Sequence, residues 1–217
     1  RMQQSIRRLI SERARALSAV SHDLRTPLTR LRLRAELIDD EDLRNQIADD
    51  IDAMTGMIDS TLDYLRGLQE SEAIHPLDIN ALLQSLVNDA AVLGREIGIS
   101  GQALAPFPGR LTALRRALQN LIDNAIKYGH SAHLSVIDDA DCLRLTVSDD
   151  GPGIAEEELS RVTEPYYRPD AARRSETGGV GLGLSIVSDI ARLHGGELQL
   201  RNRPEGGLAA TLVLRRK

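Results

Sequence analysis

A seven-residue apolar repeat runs through the opening of the chain. Ile10, Leu17, Leu24, Leu31 and Ile38 recur at that spacing, and Ala14, Ser21, Leu28 and Ala35 fill the complementary places four residues on. An apolar stripe kept up over four heptads belongs to an α-helix that buries it against another helix. A polar patch, Asp39-Asp40-Glu41-Asp42, interrupts the stripe, and a second seam follows at Ile47, Ile51, Met54, Ile58, Thr61 and Leu65. Two helices with so short a connection pack antiparallel. A lone hairpin of this size has too little core to stand by itself. Each buried Leu or Ile contributes roughly 1.5–3 kcal/mol, so pairing two hairpins into a four-helix bundle would supply much of the stability. The seam therefore predicts a homodimer.

Beyond Gly67 the periodicity breaks, and residues 68–77, with Pro76 among them, read as a linker and hinge. Residues 78–217 then mix helix and strand patterns. Ile79 to Leu93 and Leu111 to Tyr128 read as helices, the second stopped by Gly129 in a left-handed cap. Leu134–Ile137 and Leu143–Val147 read as paired strands, the second alternating cleanly. Leu184 to His194 reads as a buried helix ended by Gly195-Gly196, with closing strands at Leu198–Leu200 and Leu208–Leu214. The alternation is irregular, so the second unit is expected to be α+β with a largely antiparallel or mixed sheet.

Composition narrows the function. A formal net charge of −5 over 217 residues excludes a broad basic surface for nucleic acid. The single cysteine, Cys142, cannot form an intramolecular disulfide, which fits a reducing compartment. No stretch reaches about 18 consecutive apolar residues, so nothing here is expected to span a membrane. The opening Arg1-Met2-Gln3-Gln4 runs straight into the helical pattern, as in a piece of a longer protein.

Four motifs could carry chemistry. In Ser21-His22-Asp23-Leu24-Arg25-Thr26-Pro27-Leu28, Leu24 sits on the seam and His22 lies about 200° round the helix, facing solvent. Pro27 crowds the carbonyl of Asp23 and bends the helix. Imidazole is nucleophilic near neutrality, and Asp23 could orient or deprotonate it. A solvated surface histidine is the plain alternative. In the 111–128 helix, Asn120, Asn124 and Lys127 form a polar stripe apart from the apolar face. Two Asn four apart can offer oxygens to a hard cation such as Mg²⁺, and Lys127 can meet a phosphate, but a merely solvated face has the same pattern.

The third motif is Val147-Ser-Asp149-Asp150-Gly151-Pro-Gly153-Ile154, a strand running into an acid and two glycines. Such a turn allows close approach of a ligand, and Asp149 could accept a hydrogen bond from an exocyclic amine such as that of adenine. Asp-Gly is also an ordinary turn. The fourth is Thr177-Gly178-Gly179-Val180-Gly181-Leu182-Gly183-Leu184 leading into a helix, a phosphate-favouring arrangement. It is neither a Rossmann fingerprint nor a Walker A loop. Ahead of it the polar stretch from Glu164 to Glu176, with Arg168, Arg173 and Arg174, reads as a mobile lid.

Together these residues resemble the sensor histidine kinases of bacterial two-component systems. Ser21 to Arg30 looks like the H-box, Leu118 to Tyr128 the N-box and Asp149 to Ile154 the first glycine box. Glu164 to Arg168 looks like the F-box, and Gly179 to Leu184 the second glycine box. The resemblance implies an end of a signalling helix over 1–15 and a dimerisation and phosphotransfer hairpin over 16–67. After the hinge it implies an α/β-sandwich ATP-binding domain of the kind shared with gyrase-like ATPases over 78–217. It implies His22 as phosphoacceptor, with Asp23 as its acid/base partner and Thr26 in a position that helps dephosphorylate the partner. It implies Asn124 on Mg²⁺ and Asn120, Lys127 and Tyr128 around the nucleotide. Asp149 would read adenine, with Gly151, Gly153, Gly179, Gly181, Gly183 and Leu184 shaping the pocket and lid and Arg168 reaching the γ-phosphate. ATP and Mg²⁺ are the implied cofactors. The implied partners are a second copy and a response regulator receiver domain, and the implied setting is the cytoplasmic portion of an inner-membrane sensor.

Two departures stand out. Tyr166 and Tyr167 occupy F-box places where Phe is usual, and Asp150 stands where Asn is common. The rival readings are a gyrase-like ATPase that uses ATP as a conformational clamp, and a dimeric scaffold that binds ATP without transfer.

Overall fold

The computed structural model describes residues 24–67, 72–169 and 180–216. The N-terminal part is a helical hairpin. Helix α1 covers 24–35 and α2 covers Glu41–Gly67. Asp40 starts α2 by accepting, through Oδ1, the Leu43 N–H at 3.1 Å. Leu28, Ala35 and Ile51 are buried, and Arg32 pairs with Asp52 across the helices at 2.8 Å. Ile38, Ile47, Ile58 and Thr61 are half-buried, while the seam residues Leu24, Leu31 and Met54 stay 44%, 45% and 41% exposed. One line of the seam thus closes the hairpin, and a second line stays exposed among the described residues.

The rest is a two-layer α/β unit. Strands β1 (His75–Leu77), β2 (Ile97–Gly101), β3 (Phe107–Gly109), β4 (Ala132–Asp138), β5 (Cys142–Ser148), β6 (Glu197–Asn202) and β7 (Leu208–Arg215) form two sheets. β1 and β3 pair by themselves. The larger sheet has the order β2-β4-β5-β7-β6, with β2 parallel to β4 and every other pair antiparallel. Helices α3 (Ile79–Val92), α4 (Leu111–Gly129) and α6 (Gly183–Leu193) cover one face, and the short α5 (Glu156–Leu159) lies in the connection after β5. Alternate strand residues Leu134, Val136, Leu143, Leu145, Val147, Ala210, Leu212 and Leu214 point into the core. On the other face Thr146 and Thr211 share a hydroxyl bond at 2.9 Å. This is the α-plus-α+β architecture expected from the pattern.

Two expectations need correction. First, the 68–77 linker is partly structured. Leu77 is buried opposite Phe107 in the β1–β3 pair, and Glu72 bonds to the start of α4. Each of these short strands contains a proline, which hides the strand pattern. Second, Gly129 is not the left-handed cap. It is the last residue of α4, and His130 takes the left-handed conformation at φ 59°. Gly129 answers instead to a close approach: a Cβ there would lie 2.3 Å from Asp149 Cβ. Strand β2 stands where no element is expected from the sequence, because Gly98 and Gly101 dilute its signal.

Among the described residues no helix is long and apolar enough to cross a membrane.

Candidate functional site

A cleft of about 1000 Å³ opens between α4, the β5–α5 connection and the N-terminus of α6. Its size suits a nucleotide-sized ligand. It brings together Asn120, Asn124, Lys127, Tyr128, Asp149, Gly153, Arg168, Gly181, Gly183 and Leu184 from the sequence reading. Gly151 supports the wall from behind, packed so closely that a Cβ would lie 2.7 Å from the Tyr128 carbonyl. Thr26 is exposed on α1, outside the cleft. His22, Asp23 and Gly179 lie outside the described residues, as does most of the expected lid.

α4 does two jobs on two faces. Leu114, Ala117, Leu118, Leu121, Ile122 and Ala125 are buried on the sheet, while Asn120, Asn124 and Lys127 line the cleft one turn apart. Asn120 donates through Nδ2 to the Arg116 carbonyl at 2.9 Å, which leaves its amide oxygen for the cleft. Both Asn side chains sit against the N-terminus of α6: a Cβ on Gly183 would lie 3.2 Å from Asn120 Oδ1 and 3.6 Å from Asn124 Oδ1. That helix end has no side-chain cap. Its first N–H groups and its dipole favour an anion.

Charge in the cleft points the same way. Burial pushes the Lys127 ammonium below the ordinary lysine range, and the nearby Arg168 guanidinium pushes it further, with Asp123 opposing. Two cations held close repel each other, so a polyphosphate would relieve that cost.

At the opposite end Asp149 is buried. Its Oδ1 accepts the N–H groups of Gly151 at 2.9 Å and Leu208 at 3.2 Å. The remaining carboxylate oxygen is the one available to a ligand. A buried acceptor flanked by Val147, Ile154 and Leu208 suits the amino edge of a flat heterocycle. The F-box substitution is accommodated: the Tyr167 hydroxyl donates to Glu158 Oε1 at 3.1 Å, and Arg161 lies over its ring at 4.3 Å.

The donor chemistry fits Mg²⁺ in a restricted way. Among the described residues no group of three or more His, Cys, Asp or Glu could hold a metal. Asn124 offers one hard oxygen beside a phosphate-favouring helix end, which suits an ion carried in on phosphates with its own waters.

Sequence reasoning missed Asn202, Arg203 and Gly207. All three sit at the β6–β7 turn and touch the Asp149 loop. Gly206-Gly207 is a pair suited to a turn, but no local pattern reveals which distant loop a turn will meet.

The geometry agrees with what the chain is similar to. Residues 109–217 match the family described as histidine kinase-, DNA gyrase B-, and HSP90-like ATPase, and residues 12–70 match the His Kinase A (phospho-acceptor) domain. The sensor histidine kinase GtrS of Pseudomonas aeruginosa is 42% identical over 215 residues, which is 99% of this chain and 44% of that protein. The sensor histidine kinase CpxA of Escherichia coli is 33% identical over 222 residues, 97% of this chain and 48% of that one. The chain therefore spans about half the length of these curated relatives. The crystal structure of the ATP-binding domain of PrrB from Mycobacterium tuberculosis superposes with a TM-score of 0.55 at 28% identity, covering 67% of this chain and 99% of that one. With a phospho-acceptor domain followed by that ATPase domain, the chain belongs to the sensor histidine kinases of bacterial two-component systems.

Proposed function

We propose that this chain binds MgATP in the cleft and moves the γ-phosphoryl group onto its own His22. The observation that carries this reading is the convergence of a buried base-reading acceptor, Asp149, with the Asn124–Lys127 stripe and the uncapped start of α6 in one cleft. Asp149 takes the adenine amine. Lys127, Arg168 and the α6 N–H groups take the phosphates. Asn120 and Asn124 orient them, and Tyr128 covers the nucleoside. Leu184 and the glycines Gly151, Gly153, Gly179, Gly181 and Gly183 shape the pocket and lid. Mg²⁺, held in part by Asn124, supplies charge neutralisation at the phosphates.

In the transfer, a ring nitrogen of His22 forms a bond to the γ-phosphorus. The bond to the β–γ bridging oxygen breaks, and ADP leaves with the electron pair. Asp23 receives the imidazole proton. The protein's contribution is positioning and charge stabilisation. The phosphoryl group then passes to an aspartate of a response regulator receiver domain, and Thr26, exposed on α1, assists the attack of water on the regulator's aspartyl phosphate, which releases inorganic phosphate. The chain acts as a homodimer through the uncovered seam of the hairpin. It is the cytoplasmic portion of an inner-membrane sensor.

The test is incubation with γ-labelled ATP and Mg²⁺, comparing the native chain with His22→Gln. Acid-labile, base-stable label on the native chain alone supports the mechanism. Label that persists in His22→Gln moves the acceptor elsewhere, and bound ATP with no label on either chain supports the scaffold reading.

A further inference from the structure

The β6–β7 turn grips both ends of the loop that carries Asp149. At the far end Asn202 clasps Ile154: Oδ1 accepts its N–H at 3.0 Å and Nδ2 donates to its carbonyl at 2.7 Å. At the near end Arg203 Nη1 donates to the Asp149 carbonyl at 2.6 Å and to Asp150 Oδ1 at 2.8 Å, while Nη2 donates to Glu205 Oε1 at 3.0 Å. The Asp149 N–H donates to the Leu208 carbonyl at 3.0 Å. Gly207 makes this approach feasible, since a Cβ there would lie 1.9 Å from the Asp149 carbonyl oxygen.

Charge adds a second reason for the arginine. Asp150 follows Asp149 directly, so a second carboxylate stands next to the one that lines the cleft. Asp150 does not line the cleft. It is turned onto Arg203 and onto the Ser131 hydroxyl, which donates to Oδ2 at 2.8 Å. Nη1 meets the carbonyl and the carboxylate while Nη2 holds Glu205, a rigid planar fork that the single ammonium of a lysine does not reproduce.

We propose that Arg203 is a positioning residue for base recognition: it pins the main chain of Asp149 and turns the Asp150 carboxylate away, so that Asp149 alone meets the amine of adenine. This rests on reading Asp149 as the base-reading carboxylate.

The experiment measures dissociation constants for ATP and for ITP, which lacks the exocyclic amine, in the 217-residue chain. The native chain should prefer ATP, and Asp149→Asn should abolish that preference. Arg203→Ala should weaken ATP by about tenfold and ITP far less, shrinking the ATP/ITP ratio by the worth of a charged hydrogen bond. Adding Asp150→Asn to Arg203→Ala should recover part of the ratio, which a purely structural arginine would not allow. Should Arg203→Ala fail to fold, Arg203→Lys decides by the same ratio, with a smaller loss expected. A native ratio in the folded Arg203 variant, with the ratio lost in Asp149→Asn, overturns the proposal alone. A native ratio in Asp149→Asn overturns the base-reading role of Asp149 and the proposal with it.

Discussion

Gly129 and Asp149 are in contact across the gap between α4 and the end of β5, and the absent side chain of one makes room for the other. A Cβ at position 129 would lie 2.3 Å from Asp149 Cβ, 2.5 Å from Cγ and 2.6 Å from Oδ1. On helix propensity alone, Gly129→Ala would stabilise α4 by up to about 1 kcal/mol. The collision outweighs this, because overpacking of this kind costs about 1–3 kcal/mol. The variant should melt below the native chain and bind ATP at least about tenfold more weakly, as Asp149 is pushed off its position. Thermal melts with and without ATP, and a binding titration, check both parts. Native ATP affinity in the variant would show that the placement of Asp149 is not limiting.

Glu72 caps α4 from outside the helix. Its Oε1 accepts the Thr112 N–H at 2.9 Å and its Oε2 the Ala113 N–H at 3.3 Å, while its carbonyl accepts from Arg110 Nε at 2.8 Å. Arg110, the N-cap residue itself, makes no side-chain cap bond. Glu72→Ala should therefore destabilise the α/β unit by about 1 kcal/mol, the usual worth of a helix cap and a favourable charge at a helix start. A melting temperature lowered by about 2–4 °C is expected for a unit of this size. An unchanged melting temperature would show the cap to be replaced by water at no cost.

His194 predicts a pH response. Its Nε2 accepts the Arg110 N–H at 3.1 Å and its Nδ1 bonds to the Ile190 carbonyl at 2.8 Å, so the bonded ring is the neutral tautomer. Burial pushes its pKa below the ordinary value of 6.5; Arg110 adds to this, and the Ile190 bond and Glu72 oppose it. A histidine with a depressed folded pKa takes up more protons when unfolded, so its stabilisation is complete above the unfolded value and declines as pH falls below it. The native chain should lose more stability between pH 7.5 and 5.5 than His194→Gln does. Chemical denaturation at the two pH values reads the difference. Equal losses would remove His194 from the response.

The exposed stripe of the hairpin predicts a charge-sensitive association. Leu24, Leu31 and Met54 leave large apolar surface uncovered. Leu31→Asp would place a carboxylate in the core of the proposed bundle, where burial of an unpaired charge costs several kcal/mol. The variant should sediment as a monomer at concentrations where the native chain is a dimer, with the cleft still binding ATP. A dimeric Leu31→Asp would place the dimer contact elsewhere.

Much of the fold was legible because its signals are local. The heptad repeat marks the hairpin, the spacing of Leu114, Leu118, Leu121 and Ile122 marks α4, and the alternation of Leu143, Leu145 and Val147 marks β5. The short strands β1 and β3 escaped because Pro76 and Pro108 mask them, and β2 because two of its five residues are glycine.

Residue type and spacing alone determined which groups could do chemistry. Asn120, Asn124 and Lys127 share a helix stripe, and Asp149 and Gly183 mark a turn and a helix start, whatever the surroundings. Only the tertiary structure decided that these segments share one cleft. It also decided that Gly129 serves a contact rather than a cap, and that Arg203, more than fifty positions after Asp149, holds the Asp149 main chain. The reason is physical: helix stripes and turn preferences come from neighbours within a few residues. A close approach or a hydrogen bond between distant segments depends on how the sheet is ordered, here with β7 set between β5 and β6.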